Sequence, residues 1–199
     1  MKILHVGSSG IVGRAVKKEL SKRHEIIEAN RSSGDLRVDM TDPDSIKEMY
    51  SQVSEFDALV VTAGGGHFGP LKNMTTEEAR KGLDSKMLGQ INLVLLGQDN
   101  INPGGSFTLT SGILADDPIK NASIVSLVNG GLNSFVKAAA MEMENGTRIN
   151  IVSPGLVEDS FDELRDVFPG HVPAKMWDVA MGYVKSVEGG INGEIVRVF

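Results

Sequence analysis

Cysteine is absent from the 199 residues, and that one absence removes disulfides, thiolate metal sites and cysteine nucleophiles together. Any redox chemistry must then come from a bound cofactor, and the composition fits a reducing compartment. Aromatic residues are sparse at 5%, with one Trp and two Tyr. No apolar run approaches the ~18 residues of a membrane span. The strand-like Ile3-Leu4-His5-Val6 begins too near the amino end to leave room for a signal peptide. A formal net charge of -6 supplies no global positive field, so neither nucleic acid nor an anionic membrane is an expected partner. The expectation is a soluble, cytoplasmic protein that binds small molecules and holds any anion locally.

With 41% hydrophobic residues, the chain can bury one sizeable core, which predicts a single domain over residues 1–199. Short β-branched runs alternate with amphipathic segments throughout. Strands are predicted at Lys2–Val6, Glu25–Ala29, Leu36–Val38, Ala58–Thr62, Ser106–Thr110, Arg148–Val152 and Glu194–Val198. Helices are predicted at Val12–Ser21, Asp44–Ser51, Thr76–Asn100, Ala122–Glu144, Asp162–Val167 and Ala174–Ser186. Thr41-Asp42-Pro43 supplies a cap and a first-turn proline, Thr75-Thr76-Glu77-Glu78 a capping box, and Pro173 an opening for the last helix. The alternation predicts an α/β, doubly wound architecture of the Rossmann type, a seven-stranded parallel sheet with helices on both faces.

Between the first strand and helix lies Gly7-Ser8-Ser9-Gly10-Ile11-Val12-Gly13. A phosphate cradle needs glycine there, because the turn is tight and a Cβ would block a pyrophosphate. The helix start then aims free N–H groups at the phosphates, and Ser8 and Ser9 can add hydroxyl donors. An ordinary tight turn is the competing reading; the βαβ context favours a dinucleotide. Asn30-Arg31-Ser32-Ser33 follows the second strand. An acidic residue there would pair with the ribose hydroxyls of NAD, whereas the Arg31 fork beside Ser32 suits the 2′-phosphate of NADP. Unless Arg31 is only a solvated loop residue, NADP(H) is the expected cofactor, with NAD(H) also possible.

Taken in order, these blocks resemble the short-chain dehydrogenase/reductase family over nearly the whole chain. Val38-Asp39-Met40-Thr41 is similar to the family's segment against the adenine ring. Val60-Val61-Thr62-Ala63-Gly64 is similar to its strand ending in Asn-Asn-Ala-Gly, with Gly65 continuing the loop. Ser106–Ser111 resembles the strand that ends at the catalytic serine, and Arg148–Gly155 matches Arg-x-Asn-x-x-x-Pro-Gly, whose Pro154-Gly155 turn would pass the nicotinamide. The resemblance implies hydride transfer between NAD(P)H and a carbonyl or alcohol, with a tyrosine donating the proton and a lysine four residues later lowering its pKa. No Tyr-x-x-x-Lys exists in this chain: Val125 stands at the tyrosine position and Asn129 at the lysine position. Lys86 in turn stands at the family's asparagine, as though the amide and the ammonium had exchanged helices.

Four residues are therefore catalytic candidates. Lys86 can contact a ribose or a carbonyl, or reach solvent. Ser111 can serve the reaction or bond the backbone at its strand end. Asn129 would complete the exchange. His67, after Gly64-Gly65-Gly66, titrates in a useful range or is a surface residue. Ser126 is a weaker fifth. His5 and Trp177 read as packing residues, Trp177 against the sheet. Apolar residues on more than one face of the helices around 76–100 and 122–144, among them Leu95 and Leu127, imply a homodimer or homotetramer through them. Two functions stay open: an NADP(H)-dependent oxidoreductase for a small carbonyl/alcohol substrate with a non-standard proton relay, or a catalytically inactive NAD(P)-binding sensor or scaffold.

Overall fold

The computed structural model describes residues 1–53 and 55–199. Seven strands run Lys2–Val6 (β1), Glu25–Asn30 (β2), Leu36–Arg37 (β3), Phe56–Val61 (β4), Ile101–Thr110 (β5), Arg148–Pro154 (β6) and Ile195–Val198 (β7). They form one sheet, ordered β3-β2-β1-β4-β5-β6-β7, in which every pairing is parallel. Strand side chains alternate between the two faces. Leu59 and Val61 of β4 join one core with Leu4, Leu93, Leu132 and Val136. Ala58 and Val60 face the opposite way, packing with Val16, Leu20, Val179 and Tyr183.

Helices Ile11–Leu20 (α1), Pro43–Ser51 (α2), Thr76–Gly82 (α3), Gly89–Gly97 (α4), Ser123–Ala139 (α5), Phe161–Leu164 (α6) and Met176–Glu188 (α7) link the strands. The α2, α4 and α5 helices cover the first face, α1 and α7 the second. The predicted caps form. Asp42 accepts from the Asp44 N–H with Pro43 in the first turn, and Thr75 and Glu78 make a reciprocal capping box. Arg148 and Asn150, the polar pair of the Arg-x-Asn block, serve the fold. The guanidinium donates to the carbonyl oxygens of Ser186, Val187 and Ile191, closing the end of α7, while Asn150 holds the turn at Ile191 and Glu194.

Three expectations are corrected. The helix predicted as continuous over Thr76–Asn100 is interrupted by a π-helical turn at Leu83–Leu88. Glycines flank it because neighbours press close: a Cβ on Gly82 would lie 2.8 Å from Ile124, and one on Gly89 would lie 2.9 Å from Met40. The last helix starts at Met176, where the Glu158 carboxylate accepts from the Met176 N–H, so Pro173 lies ahead of it. Trp177 is 61% exposed, since the buried stripe runs through Met176, Val179, Ala180 and Tyr183 and residue 177 falls a quarter-turn away. Among the described residues, no helix is long and apolar enough to cross a membrane.

Candidate functional site

The chain leaves β1 to build one half of the sheet and returns at β4 to build the other, so a crevice opens where β1 and β4 end side by side. A cavity of about 500 Å³ occupies it. The turn Gly7–Gly13 forms its floor, and the three glycines there are needed for different reasons. Gly7 has φ +91°, and a Cβ would sit 2.6 Å from the Ala63 nitrogen; a Cβ on Gly13 would collide with the Gly7 carbonyl oxygen. The protein's own atoms demand those two. Gly10 has φ -70°, and its Cβ would meet nothing closer than the Gly7 oxygen at 3.5 Å. It lines the cavity, so only a ligand lying against it requires glycine. Gly10 also caps α1 without any side-chain bond, leaving the first helical amides for an anion. A nucleotide pyrophosphate fits these residues.

Of the residues expected to hold the cofactor, Gly7, Ser9 and Gly10 line this cavity, as do Arg31 with Ser32, Asp39 with Met40, and Ala63, Gly64 and Gly65. Ile11 and Val12 lie beyond the floor in α1. Ser8 is a correction: it is buried and its hydroxyl donates to Glu28 Oε2 at 2.7 Å, so it faces the core rather than a phosphate. Lys17 Nζ donates to the other oxygen of Glu28 at 2.6 Å. These bonds hold the Glu28 carboxyl below its usual range, the Lys17 bond contributing most. The acid in β2 is thus committed to the turn.

Two residues that the sequence did not single out hold the turn in shape. Asn30 ends β2; its Oδ1 accepts from the Ser9 N–H at 3.2 Å and from the Ser9 hydroxyl at 3.1 Å, and its Nδ2 donates to Ser8 Oγ. Thr62 donates to the Gly7 carbonyl at 2.9 Å, and its hydroxyl shares a hydrogen bond with His5 Nε2 at 2.9 Å. His5 is fully buried, as expected, and burial pushes its pKa down to about 4, so the ring is neutral. Both sit at strand ends facing a glycine turn, and that adjacency was the available signal. At the cavity mouth, the exposed Arg31 guanidinium donates to Asp39 at 3.1 Å.

Behind Gly64 lies a second group. A Cβ on Gly64 would be 2.9 Å from Lys86 Cγ, and Ser85 lines the cavity. Lys86 sits in the π turn and donates to the Ser111 carbonyl oxygen at 2.8 Å. Enclosure of the ammonium pushes its pKa down to about 8. No carboxylate among the described residues pairs with it. Ser111 and Asn129 are each 2% exposed, and Ser111 Oγ and Asn129 Oδ1 lack hydrogen-bond partners, as does Ser126 Oγ. The Ser111 hydroxyl therefore does not bond the backbone. Asn129 lies against Gly112, whose Cβ would be 3.1 Å from Asn129 Nδ2 and 3.8 Å from the Pro154 oxygen. Lys86, Ser111, Asn129 and Pro154 thus gather around Ser111-Gly112. Gly155 is pinned against β7 through its N–H to Val198. His67 stands apart, resting on Gly82 at the end of α3.

The sequence profile of the enoyl-(acyl carrier protein) reductase family matches residues 9–174. This chain belongs to the short-chain dehydrogenase/reductase family. Members of that family bind NAD(P)(H). The crystal structure of the protein lin1944 from Listeria innocua is 48% identical, covers 100% of both chains and superposes with a TM-score of 0.99. A small-chain dehydrogenase in complex with NADPH is 25% identical over 100% of this chain and 96% of its own, with a TM-score of 0.88. A vibriobactin-specific 2,3-dihydro-2,3-dihydroxybenzoate dehydrogenase of Vibrio cholerae is 26% identical over 126 residues. The match covers 60% of this chain and 48% of that relative, about half its length. Val125, the residue expected at the tyrosine position, is a buried apolar side chain packed with Ile113, Leu156 and Phe168.

Proposed function

We propose that this chain is an NADP(H)-dependent oxidoreductase acting on a small carbonyl compound or the matching alcohol, with Lys86 serving the carbonyl oxygen in place of a tyrosine. One observation carries the reading. Lys86 is half-buried, and its ammonium makes a single hydrogen bond and meets no carboxylate among the described residues, near a buried hydroxyl and a buried amide oxygen that lack partners. Enclosed polar groups of this kind are costly unless something polar meets them. Lysine with a pKa of about 8 keeps its proton at neutral pH and releases it more readily than an ordinary lysine, as a general acid requires.

Gly7, Ser9, Gly10 and the amides of Ile11 and Val12 would hold the pyrophosphate, Asp39 and Met40 the adenine, and Arg31 with Ser32 the 2′-phosphate. Ala63, Gly64, Gly65, Lys86, Pro154 and Gly155 would flank the nicotinamide half. Bound NADPH would supply the hydride; Lys86 supplies the proton at oxygen, Ser111 orients that oxygen, and Asn129 fixes the Ser111-Gly112 corner. NADP(H) is preferred over NAD(H) because Glu28 is spent on Lys17 and Ser8 while Arg31 stands exposed at the mouth. Copies of the chain associate as a homodimer or homotetramer through α4 and α5, whose Leu95 and Leu127 are exposed.

The test is calorimetry with NADPH and NADH, followed by turnover of a carbonyl panel across pH. Reduction should proceed below about pH 8 and fall above it as Lys86 loses its proton. Unchanged NADPH affinity and turnover in Lys86→Met would refute the role. The apolar packing of Val125 favours a second reading, a sensor or scaffold that binds NADPH without turnover; no reduction of any panel member by NADPH-binding protein would establish it.

A further inference from the structure

The segment between β6 and α7 is fastened at its base and barely at its tip. At the base, the Ala174 N–H donates to the Leu156 oxygen at 2.7 Å, the Glu158 N–H donates to the Ala174 oxygen, and the Glu158 carboxylate holds the start of α7. Beyond α6, the backbone bonds of residues 165–171 stay within the segment itself: Arg165 to Phe161, Phe168 to Leu164, His171 to Phe168. Nearly every side chain from Asp162 to Val172 is exposed. Two exceptions hold the tip down. Phe168 is buried in a small apolar cluster with Ile113, Leu114, Val125 and Leu156. His171 packs edge-on against Phe168, with ring centres 5.3 Å apart, and its Nε2 lies 3.6 Å from Asp117.

The cluster that Phe168 enters is separate from both sheet cores and adjoins the polar group described above. Ile113 follows Ser111-Gly112 directly. Val125 precedes Ser126 and lies one turn before Asn129, on the same buried face of α5. Beside the cluster, residues 117–121 and 166–171 enclose a cavity of about 720 Å³, with Ile119, Val167 and Pro169 among its walls. A polar corner, an apolar socket against it and an adjoining cavity are the parts of a site for a molecule with a polar head and a compact apolar body.

We propose that the socket filled by Phe168 is the subsite for the apolar part of the substrate. The substrate is then a carbonyl compound, or its alcohol, bearing a group of about phenyl size. It enters by way of the cavity and displaces Phe168, releasing the tip of the segment while the base stays clasped. This rests on the oxidoreductase reading for the identity of the polar head.

The experiment uses the full chain and acetophenone as probe, with dihydroxyacetone as the polar control, and reads binding by calorimetry with no cofactor present. Phe168→Ala opens the socket without touching the nucleotide cavity. It should bind acetophenone about tenfold more tightly than wild type, with no gain for dihydroxyacetone and no change in NADPH affinity. In wild type, where folding is not in question, saturating acetophenone should speed amide hydrogen exchange over residues 164–172 and leave the Leu156–Ala174 clasp protected. Equal acetophenone affinity in wild type and Phe168→Ala, an equal gain for dihydroxyacetone, or unaltered exchange in residues 164–172 overturns the subsite. Failure of NADPH to bind, measured separately, overturns the cofactor reading and leaves the probe result to stand on its own.

Discussion

Replacing Lys86 with methionine should make the protein more stable at neutral pH while removing its activity. The ammonium is held where its pKa falls from 10.5 to about 8. Each tenfold loss of proton affinity corresponds to roughly 1.4 kcal/mol, so keeping the charge costs on the order of 3 kcal/mol near pH 7. Methionine retains most of the stem and removes the charge. It forfeits the bond to the Ser111 oxygen, worth about 1 kcal/mol, for a net gain of about 2 kcal/mol. In a chain of this size that raises Tm by roughly 4–8 °C. Below the folded pKa both states carry the proton and the penalty is full. Between about 8 and 10.5 the folded protein releases the proton while the unfolded chain keeps it, so wild type recovers stability by roughly 1.4 kcal/mol per pH unit. The advantage of Lys86→Met should therefore vanish by about pH 9.5. Urea denaturation of both proteins at the two pH values measures it. A variant less stable than wild type near pH 7, or an advantage independent of pH, would refute the reasoning.

Gly10→Ala should leave the urea midpoint within about 0.5 kcal/mol of wild type but weaken NADPH binding at least about tenfold, whereas Gly13→Ala should unfold the turn and cost about 2 kcal/mol or more in stability. The reverse ranking would mean that the cavity is not the pyrophosphate site. Arg31→Ala should erase the preference for NADPH over NADH in calorimetry; equal affinities already present in wild type would contradict the assignment. Light scattering should report a dimer or tetramer for wild type, and Leu127→Glu should yield smaller species. A monomeric wild type would exclude the α4/α5 interface.

Periodicity and caps made the layers readable, because β-branched runs and capping boxes act through local backbone physics that the sequence carries by itself. Gly7, Gly10 and Gly13 announced the cradle for the same reason. The site beyond it was legible only as residue types. A six-residue π turn looks the same as α-helix in side-chain pattern, yet it decides where Lys86 points and so what its ammonium meets. Ser8 and Ser9 are chemically identical neighbours in a turn, and only the position of Glu28 in β2 sends one inward. Trp177 was misread because apolar neighbours on one helix were grouped together, whereas each residue is turned 100° from the one before and the buried stripe passes through Met176, Val179, Ala180 and Tyr183. Phe168 gave no sign, since an aromatic in an acidic, loop-like segment becomes a plug only when the chain folds back on α5.

The proposed exchange of amide and ammonium between α5 and the π turn can be tested as an energy. Lys86 and Asn129 approach one dipeptide from two sides: Lys86 bonds the Ser111 oxygen, and Asn129 lies against Gly112. Asn129→Lys alone places a second ammonium, at a buried position, beside the one that Lys86 already supplies, with no carboxylate among the described residues to take it up, and should cost about 3 kcal/mol or more. With Lys86→Asn in the same chain, the repulsion is gone and the amide is supplied from the other side. The pair should then recover at least about 1 kcal/mol beyond additivity in a double-mutant cycle measured by urea denaturation. Additivity within about 0.5 kcal/mol would mean that the two positions do not share a pocket and that no exchange has taken place. Even the coupled pair would not restore the family's chemistry by adding Val125→Tyr. A Cβ on Gly66 would already lie 2.7 Å from a Val125 methyl, and Phe168 seals the other side. A phenol ring there must displace both the glycine loop and the plug.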